Sequence, residues 1–257
     1  MERLSQATAW RSVQEGVLHL PLDITSKYTL EVFYQHPDYL LEKQVMNVLR
    51  SSRQPISETF VLAGEHAWKQ VGNETRGLSQ TELGQVKGAL KLANAMRLVT
   101  LIEPNYELQA LPTEIIEGRL ADGVLAKEKD GTEIALYFEQ RSGKLIKTIH
   151  ASPTPTGRQE KLEILYSNFL PTNGILCARS FVGKLNGKVY SEAKITEVAY
   201  FDKLDPAIFN IPGSSKGEGR NSASNSSAMI CPVDGARFSP YLKECPQHHV
   251  ALEPERR

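Results

Sequence analysis

The sequence predicts a mainly β (α+β) protein: a strongly curved antiparallel sheet, or half-open barrel, with one long and one short helix covering its concave face. Three observations carry that prediction. Apolar residues recur with period two over most of the first 212 residues, turn signals sit between the apolar runs, and one long stretch switches to helical spacing. A chain of 257 residues exceeds one average domain, but large β sheets reach that length undivided.

In chain order, Leu4, Ala7 and Trp10 give a short helix around Glu2 to Val13. Gly16 to Leu22 (GVLHLPL) reads as the first strand, with Pro21 near its end, where a lost amide donor is tolerated. In Tyr28 to Tyr34 (YTLEVFY), Tyr28, Leu30, Val32 and Tyr34 share one face and Phe33 takes the other. Residues 58–63, 133–138, 144–149, 161–166 and 195–201 repeat the pattern. Asp122-Gly123, Asp130-Gly131, Ser142-Gly143 and Asn186-Gly187 are turn signals, the last two suited to tight hairpins. Short strands joined this way form one antiparallel meander, about four strands before the long helix and about six after it.

The long helix opens on Ser79-Gln-Thr-Glu82, a capping box. Leu83, Val86, Leu90 and Ala93 form its apolar stripe, and Ala95 to Ile102 (AMRLVTLI) is apolar on nearly every side up to Pro104. Gly84 and Gly88 each cost about 1 kcal/mol relative to Ala. Either they allow a close backbone approach or they are weak points of a marginal helix. A sheet of this size curls under its own twist, so an apolar cavity is expected between its concave face and the helices.

Composition narrows the function. Thirty basic and thirty acidic residues leave no charge excess for nucleic acid or an anionic membrane surface. The apolar runs fall well short of the ~20 residues that span a bilayer. Met1 to Ser5 lacks a signal-peptide layout, so the chain is expected in the cytoplasm if complete as given, and in the periplasm or cell envelope if a leader has been removed. No GxSxG, GxxxxGK[ST], HExxH or GxGxxG motif occurs, and the expectation is a protein that is not an enzyme. His19 lies in an apolar strand as a structural residue, and Cys177, in Gly-Ile-Leu-Cys-Ala, reads as a buried inert thiol.

Several segments occur in an order met elsewhere: Trp10-Arg-Ser-Val-Gln-Glu-Gly-Val17, Gly64-Glu-His-Ala-Trp68, Leu136-Tyr-Phe-Glu-Gln-Arg-Ser-Gly-Lys-Leu145, Tyr166-Ser-Asn-Phe169 and Leu204-Asp-Pro-Ala-Ile-Phe209. The series, over about residues 10–212, resembles bacterial proteins of the lipoprotein-carrier type, with the LolA/LolB-like fold. The resemblance implies a curved sheet with helices over its mouth, holding acyl chains or another apolar ligand. It also implies an arginine in the cavity that helps control cargo. Arg97, within the apolar helix, is the arginine placed to play that part, although its long stem also lets it reach solvent. Trp68 reads as a core anchor, and Asp205-Pro206 with Phe209 as a final tuck.

Three domains are expected: a body over 1–212, a flexible linker over 213–228 and a small Cys/His tail over 229–257. The linker (GSSKGEGRNSASNSSA) has six Ser, three Gly and two Asn and cannot bury enough surface to offset its ordering entropy. In the tail, Cys231-Pro-Val-Asp234 and Cys245-Pro-Gln-His248 resemble a short zinc ribbon in which the second ligand of each knuckle is replaced. Cys231, Asp234, Cys245 and His248 are chemically able to hold Zn2+, with His249 as a substitute. A metal-free degenerate ribbon and a Cys231–Cys245 disulfide are the alternatives. The expected function is non-enzymatic binding of a lipid-like or lipoprotein-anchor ligand, with Leu90 and Arg97 at the site. The other reading is a fully packed scaffold or sensor whose tail binds metal or a partner protein.

Overall fold

The computed structural model describes residues 7–20, 22, 24–48, 55–153, 158–210, 229–233, 235, 237–238, 245 and 250–254. The chain divides into two compact units, Met1–Lys203 and Leu204–Arg257.

The first unit is built on one thirteen-stranded antiparallel sheet that does not close into a barrel. Six strands precede the helix: β1 (Ala9–Leu20), β2 (Ile24–Gln35), β3 (Tyr39–Val48), β4 (Ile56–Ala63), β5 (His66–Val71) and β6 (Glu74–Gly77). Seven follow it: β7 (Tyr106–Ile116), β8 (Arg119–Glu128), β9 (Glu133–Glu139), β10 (Leu145–Pro153), β11 (Gln159–Thr172), β12 (Ile175–Leu185) and β13 (Lys188–Phe201). Their spatial order is β6-β5-β4-β3-β2-β1-β13-β12-β11-β10-β9-β8-β7. The expected single meander is therefore two, joined where β1 pairs with β13, Ala9 opposite Phe201.

That order leaves β6 and β7 as the two edges, and residues 78–105 connect them. Laid flat, thirteen strands would be roughly 58 Å wide at ~4.8 Å per spacing. The connecting helix α1 (Gln80–Met96) has 17 residues and is only about 26 Å long. Curling brings the edges within its reach, and small residues make the curl possible. On the face that meets the helix, a Cβ at Gly16 would stand 2.3 Å from the Glu192 carbonyl oxygen and 2.8 Å from the Tyr28 ring. One at Gly183 would stand 2.4 Å from Ser191 Oγ.

Four expectations are corrected. The short helix around Glu2 to Val13 gives way to β1 from Ala9 onward; residues 1–6 lie outside the described residues. β1 is hydrogen-bonded on both sides, to β2 and β13, and this pairing overrides the helical spacing of Leu4, Ala7 and Trp10. The long helix stops at Met96 instead of running to Pro104. Thr100 Oγ1 donates to the Asn94 carbonyl at 2.6 Å, taking the acceptor that the Leu98 amide would use, and Leu98 turns to φ 59° before a short 3-10 segment over Val99–Ile102. Asp122-Gly123 is no turn: it lies within β8, where Gly123 makes room for Tyr137 and Leu111. Finally, six strands precede the helix where about four were expected, because the charged β3 and the exposed β6 hide their alternation.

The other turn signals stand. Asn186 and Gly187 take φ 49° and 80° between β12 and β13, and the Gly143 amide donates to the Glu139 carbonyl at 2.8 Å. The capping box forms in full: Ser79 Oγ accepts from the Glu82 amide at 3.3 Å, and the Ser79 amide donates to Glu82 Oε2 at 2.9 Å.

The second unit contains a 3-10 turn over Pro206–Phe209 and a three-stranded sheet. Asp205 caps the turn by accepting from the Ala207 amide at 2.9 Å. The sheet has order β15-β14-β16, from β14 (Met229–Ile230), β15 (Arg237–Phe238) and β16 (Glu253–Pro254).

Candidate functional site

Strand periodicity sorts the large sheet into two faces. Trp10, Val32, Tyr34, Leu40, Leu62 and Phe60 point toward α1, where Val86, Leu90 and Leu83 pack on them. Further round the same face, Ala126, Ile134 and Leu136 meet Ala95, Leu98 and Leu101. Between these clusters lie Leu18, Tyr28, Leu30, Ala193 and Phe181. The inner face is therefore predominantly apolar from the first meander to the second. The opposite face has its own cluster around Tyr137, Ile146 and Leu165. Trp68 is buried, as expected of an anchor, and pairs with Val61 on the face away from the helix.

Polar clamps hold α1 at both ends. At its start, Arg76 Nη1 and Nη2 donate to both oxygens of Glu82 at 2.8 and 2.7 Å. Lys69 bridges Glu82 to Glu58 at 3.4 and 3.1 Å. The Arg76 guanidinium, with the Ser79 amide and hydroxyl, holds the Glu82 carboxyl well below the usual carboxylate range. Toward its end, Lys91 reaches the β8–β9 hairpin through Asp130, Thr132 Oγ1 at 2.7 Å and Glu128 Oε2 at 3.1 Å. Along its length α1 is lightly seated: Val86, Leu90 and Ala95 are its buried residues.

The two body residues singled out from the sequence have distinct surroundings. Leu90 is buried in the cluster of Val32, Tyr34, Leu40, Leu62 and Val86. Arg97, at the C-terminal cap of α1, does not extend to solvent as its long stem allows; it is only 8% exposed, and its Nε and Nη1 have no hydrogen-bond partner. Its guanidinium meets the Tyr34 hydroxyl, which donates to Asn94 Oδ1. His36 Nδ1 lies 3.0 Å from that same oxygen.

Three inner-face groups escaped the sequence reading. Glu42 pairs with Val32 and Phe60, so it stands among apolar side chains. Protein surrounds it, yet part of its surface stays accessible, and burial pushes its carboxyl up to about 7. Arg179 donates from Nη2 to Thr172 Oγ1 at 2.6 Å, while its buried Nε has no partner. Tyr200, the register partner of Trp10, is held far above the usual tyrosine range by burial, with Cys177 and Arg179 nearby. The available signal was parity: Glu42 is in phase with Leu40, and Arg179 with Phe181. His19 is a surface residue 2.9 Å from Glu192.

A shallow open depression of about 480 Å3 lies elsewhere, lined by Gly118, Arg119, Leu120, Glu139, Gln140 and Arg141. It occupies the turns joining β7 to β8 and β9 to β10, at the opposite end of these strands from the hairpin that Lys91 clamps.

In the second unit, Cys231 and Cys245 are fully buried thiols. Cys231 begins a turn that the Gly235 amide closes onto its carbonyl at 2.9 Å, with Gly235 at φ 72°. Asp234, His248 and His249 lie outside the described residues, as does the expected linker over 213–228. Among the described residues, no cluster of three metal-ligating side chains forms.

An open antiparallel sheet curled around one crossing helix is the LolA-like fold. Among solved structures, the chain is similar to a LolA superfamily protein from Nitrosomonas europaea: TM-score 0.55 and 16% identity, covering 82% of this chain and 97% of that one. A DUF1329 family protein from Desulfovibrio piger gives 0.51 and 10%, over 81% and 92% of the two chains. An outer membrane lipoprotein-sorting protein domain from Vibrio parahaemolyticus gives 0.51 and 11%, over 81% and 93%. No sequence-family profile and no curated protein matches the chain.

Proposed function

We propose that the body is a non-enzymatic carrier that binds a lipid-like or lipoprotein-anchor ligand between the inner face of the sheet and α1, with Leu90 and Arg97 at the site. The observation that carries this reading is an apolar inner face crossed by one lightly seated helix. A bound acyl chain takes the place of helix contacts, and its affinity comes from area removed from water at roughly 25 cal/mol per Å², less the cost of association. The fold shared with the LolA superfamily protein supports the reading. Such a carrier belongs in the cell envelope.

The test is titration of the full chain with a fluorescent fatty acid. Saturable binding of about one probe per chain is expected. Leu90→Asp should weaken it at least tenfold, and Ala93→Trp, which fills space beside the same cluster, serves if Leu90→Asp fails to fold. No saturable binding of fatty acid, phospholipid or detergent overturns the proposal.

One observation favours the alternative of a packed scaffold or sensor: Leu90 and its neighbours already close on one another, while the described depression lies at the hairpin ends. The same titration separates the two readings.

For the tail we propose a structural zinc ion held by Cys231, Asp234, Cys245 and His248, and a role as a docking module for a protein partner. Two buried cysteines, one of them opening a glycine-closed turn, support the ribbon comparison. A tail this short needs such a crosslink to fold. About one zinc per chain, lost in Cys231→Ser, is the expected result. Zinc-free protein, or zinc unchanged in the variant, overturns it.

A further inference from the structure

Most buried or half-buried cations of the first unit have an acidic partner. Arg11 lies 2.7 Å from both Glu31 and Glu197, Lys147 lies 2.6 Å from Glu114, and Lys69 and Lys91 each meet two carboxylates. Arg97 and Arg179 break the pattern. Both are directed to the inner face, and each keeps buried N–H groups without an acceptor: Nε and Nη1 of Arg97, and Nε of Arg179. Neither forms an ion pair among the described residues.

Register places them on either side of one aromatic row. Trp10 in β1 pairs with Tyr34 in β2 and with Tyr200 in β13, and its ring stacks on Tyr34 at 5.5 Å between centroids. Arg97 meets Tyr34 and Arg179 lies near Tyr200, so two guanidiniums flank a three-ring floor. The helix end on which Arg97 sits offsets part of its burial, since a C-terminus favours a cation. It does not satisfy idle donors, and buried donors left unmade are the larger cost. The planar fork of a guanidinium suits a carboxylate or phosphate. Met96, beside Arg97, is partly exposed, and the helix has ended by Leu98, where φ is 59°.

We infer that the ligand is an acidic amphiphile whose phosphate or carboxylate headgroup is held by Arg97 and Arg179 over the Trp10, Tyr34 and Tyr200 row. This rests on the carrier reading and narrows it to anionic cargo.

The test is calorimetric titration of the full chain with dodecyl phosphate, dodecyl maltoside and inorganic phosphate. Dodecyl phosphate should bind at least tenfold more tightly than the maltoside, and inorganic phosphate at least a hundredfold more weakly than dodecyl phosphate. Arg97→Met should abolish the preference by weakening dodecyl phosphate binding at least tenfold. Unliganded Arg97→Met should also melt no lower than the parent, because it removes an uncompensated charge; a purely structural arginine would lower the melting temperature. Arg179→Met provides the same comparison if Arg97→Met does not fold. Equal binding of both amphiphiles overturns the anionic inference and leaves the carrier intact. Phosphate binding that needs no alkyl chain overturns the inference in favour of a free-anion site. Failure of every amphiphile overturns the carrier reading itself.

Discussion

Glu42 shows how one side chain reports on its surroundings. Burial raises its folded pKa to about 7 from an ordinary 4.5, so the folded state holds the proton more tightly than the unfolded chain does. The residue is neutral in both states below pH 4.5. Between 4.5 and 7 the unfolded chain ionises first, and stability falls as pH rises; above 7 the loss is complete and level. Glu42→Gln should therefore raise stability by about 2–3 kcal/mol at pH 8 and leave it nearly unchanged at pH 4. Denaturant titrations at the two pH values check this; an equal effect at both would mean that Glu42 is solvated. The glycines divide in the same physical way. A Cβ on Gly88 meets nothing within 4 Å, which answers the question of close approach at that position: Gly88 is a weak point of the helix. Gly88→Ala should stabilise by roughly 0.5–1 kcal/mol. Gly16→Ala, facing the Glu192 carbonyl and the Tyr28 ring, should destabilise by about 1–3 kcal/mol. Thermal melts of the two variants should move in opposite directions.

At the scale of the element, α1 depends on its ends. Ser79→Ala removes the hydroxyl that satisfies the Glu82 amide and should cost about 1 kcal/mol, seen as a lower denaturation midpoint with an unchanged slope. Local chemistry is what the sequence displayed openly: the cap needs four adjacent residues, and Asn186-Gly187 needs two. The end of α1 was hidden because Thr100 intercepts a helical acceptor six residues back, a contact between side chain and backbone that apolar periodicity does not encode. Asp122-Gly123 misled for a similar reason, since only Tyr137 on the neighbouring strand explains the glycine. For the proposed site, the burial of Leu90 was legible from helical phase. Arg97 was noticed because a charge stood in an apolar run. Arg179 and Glu42 became meaningful only when strand pairing placed them among inward-facing residues.

For the whole first unit, the defining event is the joining of two meanders. β1 and β13 pair residues as far apart as Ala9 and Phe201, and contacts between such distant segments are slow to form. Refolding should take milliseconds to seconds. The two tryptophans divide the process. Trp68 sits within the first meander, while Trp10 is placed on the seam. In stopped-flow fluorescence, the Trp68→Phe protein, reporting through Trp10, should change later than the Trp10→Phe protein, reporting through Trp68. Simultaneous change would mean that the seam forms with the meanders rather than after them.

The route of α1 from one sheet edge to the other has a consequence for release. A helix joined at both ends to outermost strands would stay tethered if a ligand displaced it from the sheet. Whatever displaces it faces a permanently tethered rival, present at an effective concentration in the millimolar range. If the proposed carrier reading holds, unloading needs no separate push, because the rival returns to its seat as the occupant loosens, and a sheet deprived of its helix should grip the same molecule more tightly than the intact chain does.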